Sequence, residues 1–412
     1  MKSALAFARW VALGGIVGAL CGGASAAFLY LLALATDYRE SHTVIIFALP
    51  VAGLVIGTVY ARFGESIKAG NNLVIDTIHD DGPEIPFRMM PMVLAGTVLT
   101  HLFGGSAGRE GTAVQMGASL ADFFSHRVGL DRALRLQLLA AGVAGGFGSV
   151  FGTPIAGAIF GLEFVVLGRL EYEALVPAVV ASIVGDLVTR GLGIVHTAYP
   201  TAPHLDLTPL ACAQWLAFAV AVAVVAIGFV ELTHFLRRRG ERHVKHLGVR
   251  MAIGGALVVI AWQLLGTTDY LGLGIPTIVR AFGDPGVEPW AFAAKLAFTA
   301  VTLGAGFLGG EVTPLFFIGA ALGGVLGPAI GLPRELAAGV GMAAMFATAA
   351  NTPIALSVMA VELVGGNALP HVVIVCVVAY LIGGHRGIYP AQRVMRKKHG
   401  GTIATTRLRD VE

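Results

Sequence analysis

Charge is scarce in this chain: Asp, Glu, Lys and Arg together make up 13% of the 412 residues. A soluble globular domain carries about 25%, so a water-facing surface of ordinary size cannot be built here. A disordered or collagen-like chain is excluded as well, because 56% of the residues are hydrophobic and the mean hydropathy is +0.78. Cysteine is nearly absent. Cys21, Cys212 and Cys376 each lie inside an apolar run with no metal-like spacing, and they read as buried packing residues. No HExxH, P-loop, GxSxG or GxGxxG-after-strand pattern occurs, and His385 and the other histidines lack ligand spacing. No cofactor or metal is therefore expected. An intramembrane enzyme would need a Ser/His, Asp/Asp or metal constellation, and none is visible.

The chain does hold apolar spans, recurring from 8–36 to 369–384, and 56 glycines. A full bilayer crossing needs about 20 residues. Several spans are shorter and are broken by Gly or Thr-Pro. Irregular backbone at membrane depth is tolerated only where protein or a cavity encloses it. The first span runs on to about Leu34, past the reach of a signal-peptide core, so it reads as a first membrane helix. Basic clusters stand at Arg127–Arg135, at Arg237–Arg250 and at Arg393–Lys398. They flank apolar spans without interleaved aromatics, which argues against nucleic acid and places them in the cytoplasm by the positive-inside rule. The expected class is an all-α, polytopic protein of the cell (inner) membrane, with both termini cytoplasmic.

An internal repeat organises the chain. GREGTAVQMGASL, from Gly108, is echoed by GGEVTPLFFIGAALG, from Gly309. FGTPIAGAIFGLEF is echoed by ANTPIALSVMAVEL. Glu110 and Glu311 lie 201 residues apart, and Pro154 and Pro353 lie 199 apart. Two independent motifs share nearly one offset, which divides the chain into halves at 1–206 and 207–412. Span 8–36 runs outward from the cytoplasm, whereas span 208–236 ends in the basic Arg237–Arg250 loop and runs inward. The halves are thus expected to be inverted, with a binding site where they meet at mid-membrane.

Thr153-Pro154, Thr313-Pro314 and Thr352-Pro353 each mark a helix start inside an apolar region, since Thr suits an N-cap and Pro the first helical position. Helix N-termini expose unpaired N–H groups and partial positive charge, and three of them aimed at one point would hold an anion. Glu110 stands between glycines 108 and 111 in GREGT. A carboxylate inside a membrane is expensive and marks function by default. At an anion site it can occupy the place of the ion or take a proton and leave; a structural pairing with Arg109 is the alternative. Glu311, in GGEVTP, serves either the proton route or the dipole of a helix start. Glu163 and Glu362 occupy matching places in the two TPI helices, and their symmetry favours a structural role. Gly70-Asn71-Asn72 offers either amide donors for an anion or a turn. Tyr389, in GIYPAQR, points its hydroxyl inward or anchors the interface.

On these motifs the chain resembles the CLC family of chloride channels and proton-coupled antiporters, from about Val11 to Arg393. GREGT resembles the family's GREGP loop, so Glu110 matches its gating glutamate. GGEVTP aligns with the second pore loop, where Val312 replaces the usual Phe ahead of Thr313. Tyr389 matches the tyrosine at the central anion, and Gly70-Asn71 falls where chloride members carry GSGIP. Phe164 stands where chloride antiporters often carry an internal proton glutamate. These departures resemble the fluoride-exporting branch. The resemblance implies fluoride/proton exchange, with chloride as the alternative ion, and a homodimer with one pore per subunit. It also implies an interface around 174–193 and 353–384, and a tail to Glu412 too short for a CBS pair.

Overall fold

The structure is a computed structural model that describes residues 2–79, 84–398 and 400–411. Met1 and Glu412, the outer bounds expected for the two halves, lie outside the described residues. Sixteen α-helices occur among the described residues. The first eight are α1 (Lys2–Ser41), α2 (Leu49–Phe63), α3 (Asn71–Ile78), α4 (Met89–Leu102), α5 (Glu110–Arg127), α6 (Arg132–Phe151), α7 (Pro154–Glu163) and α8 (Leu175–Gly191). The second eight are α9 (Pro209–His243), α10 (Leu247–Leu265), α11 (Ile275–Arg280), α12 (Ala291–Ala305), α13 (Val312–Ala329), α14 (Arg334–Ala350), α15 (Pro353–Val364) and α16 (Leu369–Ile382). Seven helical segments are long and apolar enough to cross a bilayer, and five shorter apolar helices accompany them. The protein is a polytopic, all-α membrane protein. At 40 residues α1 is about 60 Å long, twice the hydrocarbon thickness of about 30 Å, so it must tilt or project beyond the core.

Each apolar span of the sequence became a helix, with local differences. Asn71 and Asn72 do not form a turn; they open α3, behind Gly70 at φ +57°. Helix α7 stops at Glu163, and the chain continues into a short strand, β1 (Val166–Leu167). That strand pairs in parallel with β2 (Arg393–Arg396), which pairs antiparallel with β3 (Thr402–Arg407). The small sheet ties the segment after the last helix to the end of α7. Of the cysteines, Cys21 and Cys376 are buried and Cys212 only partly so. In the Arg127–Arg135 cluster, Arg135 forks onto the fully buried Asp122 at 2.5 and 3.0 Å, so it braces the interior.

Helices α5, α6, α13 and α14 form the dry centre. Membrane helices gain little from burying apolar surface against one another and instead pack backbone to backbone through small residues. A Cβ added at Gly117 would come within 2.1 Å of the Gly142 carbonyl, and one at Gly319 within 2.1 Å of the Gly341 carbonyl. The two halves thus solve the α5–α6 and α13–α14 contacts in the same way. Around this centre α1 packs on α8, α2 on α10, and α9 on α12, α14 and α16.

The Thr-Pro helix starts are answered by protein. Glu163, the last residue of α7, accepts from the amides of Ile354 and Ala355 at the start of α15, at 3.1 and 2.8 Å. Glu362, near the end of α15, accepts from the amides of Ile155 and Ala156 at the start of α7, at 3.0 and 2.8 Å. Each helix therefore caps the other with a carboxylate. The symmetry read from the sequence has this structural meaning. Thr153 and Thr352 hold the N-cap positions but donate no side-chain cap, and their hydroxyls are buried without a partner. Glu163→Ala would strand two amides at a buried helix start, and a buried unsatisfied group costs about 1–3 kcal/mol. Thermal unfolding in detergent should drop by that order, with Glu163→Gln falling between the variant and the parent.

Candidate functional site

Two extended loops, the one before α5 and the one before α13, meet inside the protein. Gly108 and Gly310 exchange both backbone hydrogen bonds, at 2.6 and 2.7 Å. No side chain fits at either position. A Cβ on Gly108 would lie 2.9 Å from Pro314 Cδ and 3.0 Å from the Gly310 carbonyl, and one on Gly310 would lie 2.7 Å from the Gly111 amide. The bridge pairs residues 202 apart, and the helix starts, Glu110 and Val312, are also 202 apart. The sequence offset of 201 is therefore corrected by one. Glu311 is not the counterpart of Glu110. It holds the N-cap place of α13, as Arg109 does for α5, and Val312 is the counterpart of Glu110.

Glu110 is fully buried as the first residue of α5. Its carboxylate crosses to the start of α13. The Thr313 amide donates to Oε2 at 3.1 Å, and the Thr313 hydroxyl lies 2.7 and 2.6 Å from the two carboxylate oxygens. From behind, the Arg109 amide donates at 3.2 Å and Arg109 Nε at 3.3 Å. Glu110 thus pairs with Arg109 while sitting on the amide and hydroxyl of Thr313. Thr313-Pro314 is not itself the helix start: the N-cap is Glu311 and the first helical residue Val312, each two residues earlier than expected. Of the three Thr-Pro helices expected to converge, only α13 reaches this point. The starts of α7 and α15 are taken by Glu362 and Glu163, so the three-helix anion site is corrected to α13 alone, with α5 contributing Glu110.

A cavity of about 120 Å³ ends short of Glu110. Its lining includes Gly70, Asn71, Glu311 and Tyr389 of the expected residues, whereas Gly108, Glu110, Val312 and Thr313 lie in the closed section beyond it. Gly111 is not itself in the lining but lies close to two residues that are. A Cβ there would enter between Asn71 Nδ2, at 3.1 Å, and Glu311 Oε2, at 3.6 Å. Asn71 is buried and its Oδ1 has no hydrogen-bond partner. Asn72 is engaged elsewhere, accepting from the Ala391 amide at 3.0 Å. Both amides line the cavity, and Asn71 is the one whose Oδ1 is left without a protein partner. Tyr389 is 2% exposed and stands edge-on to Phe164, with ring centroids 4.9 Å apart. Its place is fixed by Gln392, which donates to the carbonyls of Phe164 and Ala350 at 3.0 and 2.8 Å. Behind the Phe164 ring stands a run of further rings, Phe160, Phe147 and Phe346.

Sequence reasoning missed the polar wall of this cavity. Thr97 and Thr112 share a 2.7 Å hydrogen bond, and Gln115, Lys68 and Arg237 complete the lining. Thr112 and Gln115 were within reach, because both interrupt the apolar run just after Glu110. Lys68 and Arg237 also line a wider cavity of about 710 Å³ with Lys245 and Arg250, opening among the basic loops. A positively charged funnel therefore leads to the Asn71–Tyr389 cavity, and such funnels raise the local concentration of anions.

The profile of the family described as voltage gated chloride channel matches residues 52–384. A chloride/fluoride channel protein of Pseudomonas syringae pv. tomato is 48% identical over 403 residues, covering 95% of this chain and 88% of its own. The crystal structure of a CLC-type fluoride/proton antiporter superposes with a TM-score of 0.91 at 36% identity, over 94% of this chain and 98% of the other. A slow cyanobacterial Cl⁻/H⁺ antiporter shares the fold, with a TM-score of 0.81 at 16% identity over 91% and 94% of the two chains.

Gly108→Ala places a methyl against Pro314 and the Gly310 carbonyl. Overpacking of this kind costs about 1–3 kcal/mol. The expected outcome is a lower unfolding temperature in detergent and loss of anion flux, whereas Gly283→Ala, in open space and without a positive φ, keeps flux.

Proposed function

The chain belongs to the voltage gated chloride channel family, and we propose that it exports fluoride from the cell in exchange for protons. The observation that carries this reading is the Glu110 carboxylate seated on the amide and hydroxyl of Thr313. An ionised carboxylate there takes the donors a small anion would take. An anion entering from the Asn71–Tyr389 cavity competes for them. Once protonated, Glu110 loses its charge and its hold on the helix start, and it moves aside with the proton. Anion binding and proton movement are then linked through one side chain.

Fluoride is small and strongly hydrated, so stripping its water needs close, strong donors. The Asn71 amide, the Tyr389 hydroxyl, and the amide and hydroxyl of Thr313 supply them. Gly70, Gly108 and Gly111 let backbone approach the ion, and Val312 shapes the narrow section. Glu311, on the cavity wall, assists the proton. Phe164 offers no proton acceptor, so the proton shares the route of the anion. The names of the Pseudomonas relative and of the 36% identical structure support fluoride over chloride alone. A chloride/proton antiporter or a passive chloride channel on the same scaffold is the alternative.

The halves 1–206 and 207–412 lie in opposite orientation across the bridge, in the cell membrane, with both termini in the cytoplasm. The protein works as a homodimer through the regions 174–193 and 353–384, which expose Leu187, Leu369, Val373 and Val377. The family moves ions and does not turn over a substrate.

Purified protein in liposomes should release fluoride with simultaneous proton uptake. Equal chloride and fluoride fluxes, or fluoride flux without proton movement, would reject the proposal. Glu110→Gln should abolish proton coupling and block or uncouple the anion; unchanged coupled exchange in that variant contradicts the gate. Asn71→Ser should lower the fluoride-over-chloride preference by roughly ten-fold, the worth of one hydrogen bond to a charged group. An unaltered flux ratio removes Asn71 from the anion path.

A further inference from the structure

Away from the ion route, a slot of about 200 Å³ opens between α9, α10 and α12. Its walls are apolar: Leu236, Ile253, Leu257 and Val301. Ile253 and Leu257 are about half exposed, at 48% and 50%, so the slot opens on the lipid side of the bundle. An apolar cavity of this kind does not hold water, and in a bilayer hydrocarbon fills it. One end of the slot is different. Arg239, in the last turns of α9, and Arg250, in the first turn of α10, border it there, in the basic segment that the positive-inside rule assigns to the cytoplasmic side.

The two guanidinium groups are poorly answered by protein. Arg239 has no ion-pair or hydrogen-bond partner for its side chain among the described residues. Arg250 Nη1 lies 3.5 Å from Glu241 Oε1, at the long end of an ion pair, and its Nε is buried with no partner at all. A buried N–H of a charged group without an acceptor is expensive, and its two natural acceptors are a carboxylate or a phosphate. No second carboxylate pairs with it. An apolar slot that ends at two under-satisfied guanidinium groups has the shape and charge of a phospholipid with a net negative head.

We propose that this slot binds an anionic phospholipid of the cytoplasmic leaflet, with one acyl chain between α9, α10 and α12 and the phosphate on Arg239 and Arg250. Basic pockets between membrane helices on that side select anionic heads. A zwitterionic lipid fits the slot but brings its own cation against the arginines, so selection rests on the head group. Arg250 also lines the wide cavity of the ion route, which puts the lipid head beside the mouth.

The test is native mass spectrometry of the purified full-length protein, equilibrated in mixed micelles with equal amounts of phosphatidylglycerol and phosphatidylcholine. The wild type should retain phosphatidylglycerol in preference. Arg239→Gln and Arg250→Gln should each lower that preference about five-fold, the effect of one basic side chain at an anionic surface. Leu257→Trp, which fills the slot without changing charge, should lower retention of both lipids. Should Arg250→Gln fail to elute as folded protein, Arg239→Gln, on an exposed side chain, and Leu257→Trp give the same reading. Equal retention of the two lipids by the wild type overturns the proposal. So does wild-type preference in folded Arg239→Gln.

Discussion

The pair of backbone hydrogen bonds between Gly108 and Gly310 is the constraint on which the centre of this protein depends. Non-helical backbone inside a membrane has no water to satisfy it. Two loops that would each be intolerable alone become acceptable by satisfying each other. The pairing needs glycine on both sides, because a methyl on either would strike backbone or the Pro314 ring. With the bridge in place, α5 and α13 start side by side. The Glu110 carboxyl group then lies at the start of α13, on the amide and hydroxyl of Thr313. A buried carboxylate is therefore held without a full opposing charge in contact on that side, and Arg109 supplies the remainder from behind.

Much of this was legible in the sequence, because the signals were local. A composition this poor in charge allows only a membrane-facing surface. Glycine between charged residues in GREGT, and Thr-Pro inside apolar runs, mark broken helices, and the spacing of two motifs marks the repeat. What stayed hidden depended on contacts across more than a hundred residues. The offset of 201 came from matching the two acids by type, whereas the backbone pairs positions 202 apart and sets Glu311 against Arg109. The three helix starts looked alike in sequence. Nothing local to Pro154 or Pro353 says that a carboxylate some two hundred residues away covers it. Asn71 and Asn72 are chemically identical neighbours that both line the cavity, and only the placement of Ala391 separates the one whose Oδ1 is engaged from the one whose Oδ1 is free. The strands at 166–167 and 393–396 are too short to carry a periodic pattern of their own.

The aromatic run behind Tyr389 shows how the fold shapes the site by exclusion. Phe164 fills the position after Glu163 and presses its edge on Tyr389, while Gln392 pins the backbone on either side. The ring of Tyr389 is thereby fixed to within the play of tight packing, and its hydroxyl is left toward the cavity.

The reciprocal carboxylate caps on α7 and α15 also bear on how the chain is made. As α7 is inserted, the amides of Ile155 and Ala156 have no acceptor, because Glu362 has not yet been synthesised. The first half must therefore wait in the bilayer with an open helix end until nearly the whole of the second has followed. A chain truncated before Glu362 leaves the amides of Ile155 and Ala156 without that carboxylate, so the start of the first TPI helix is completed only by the last part of the sequence.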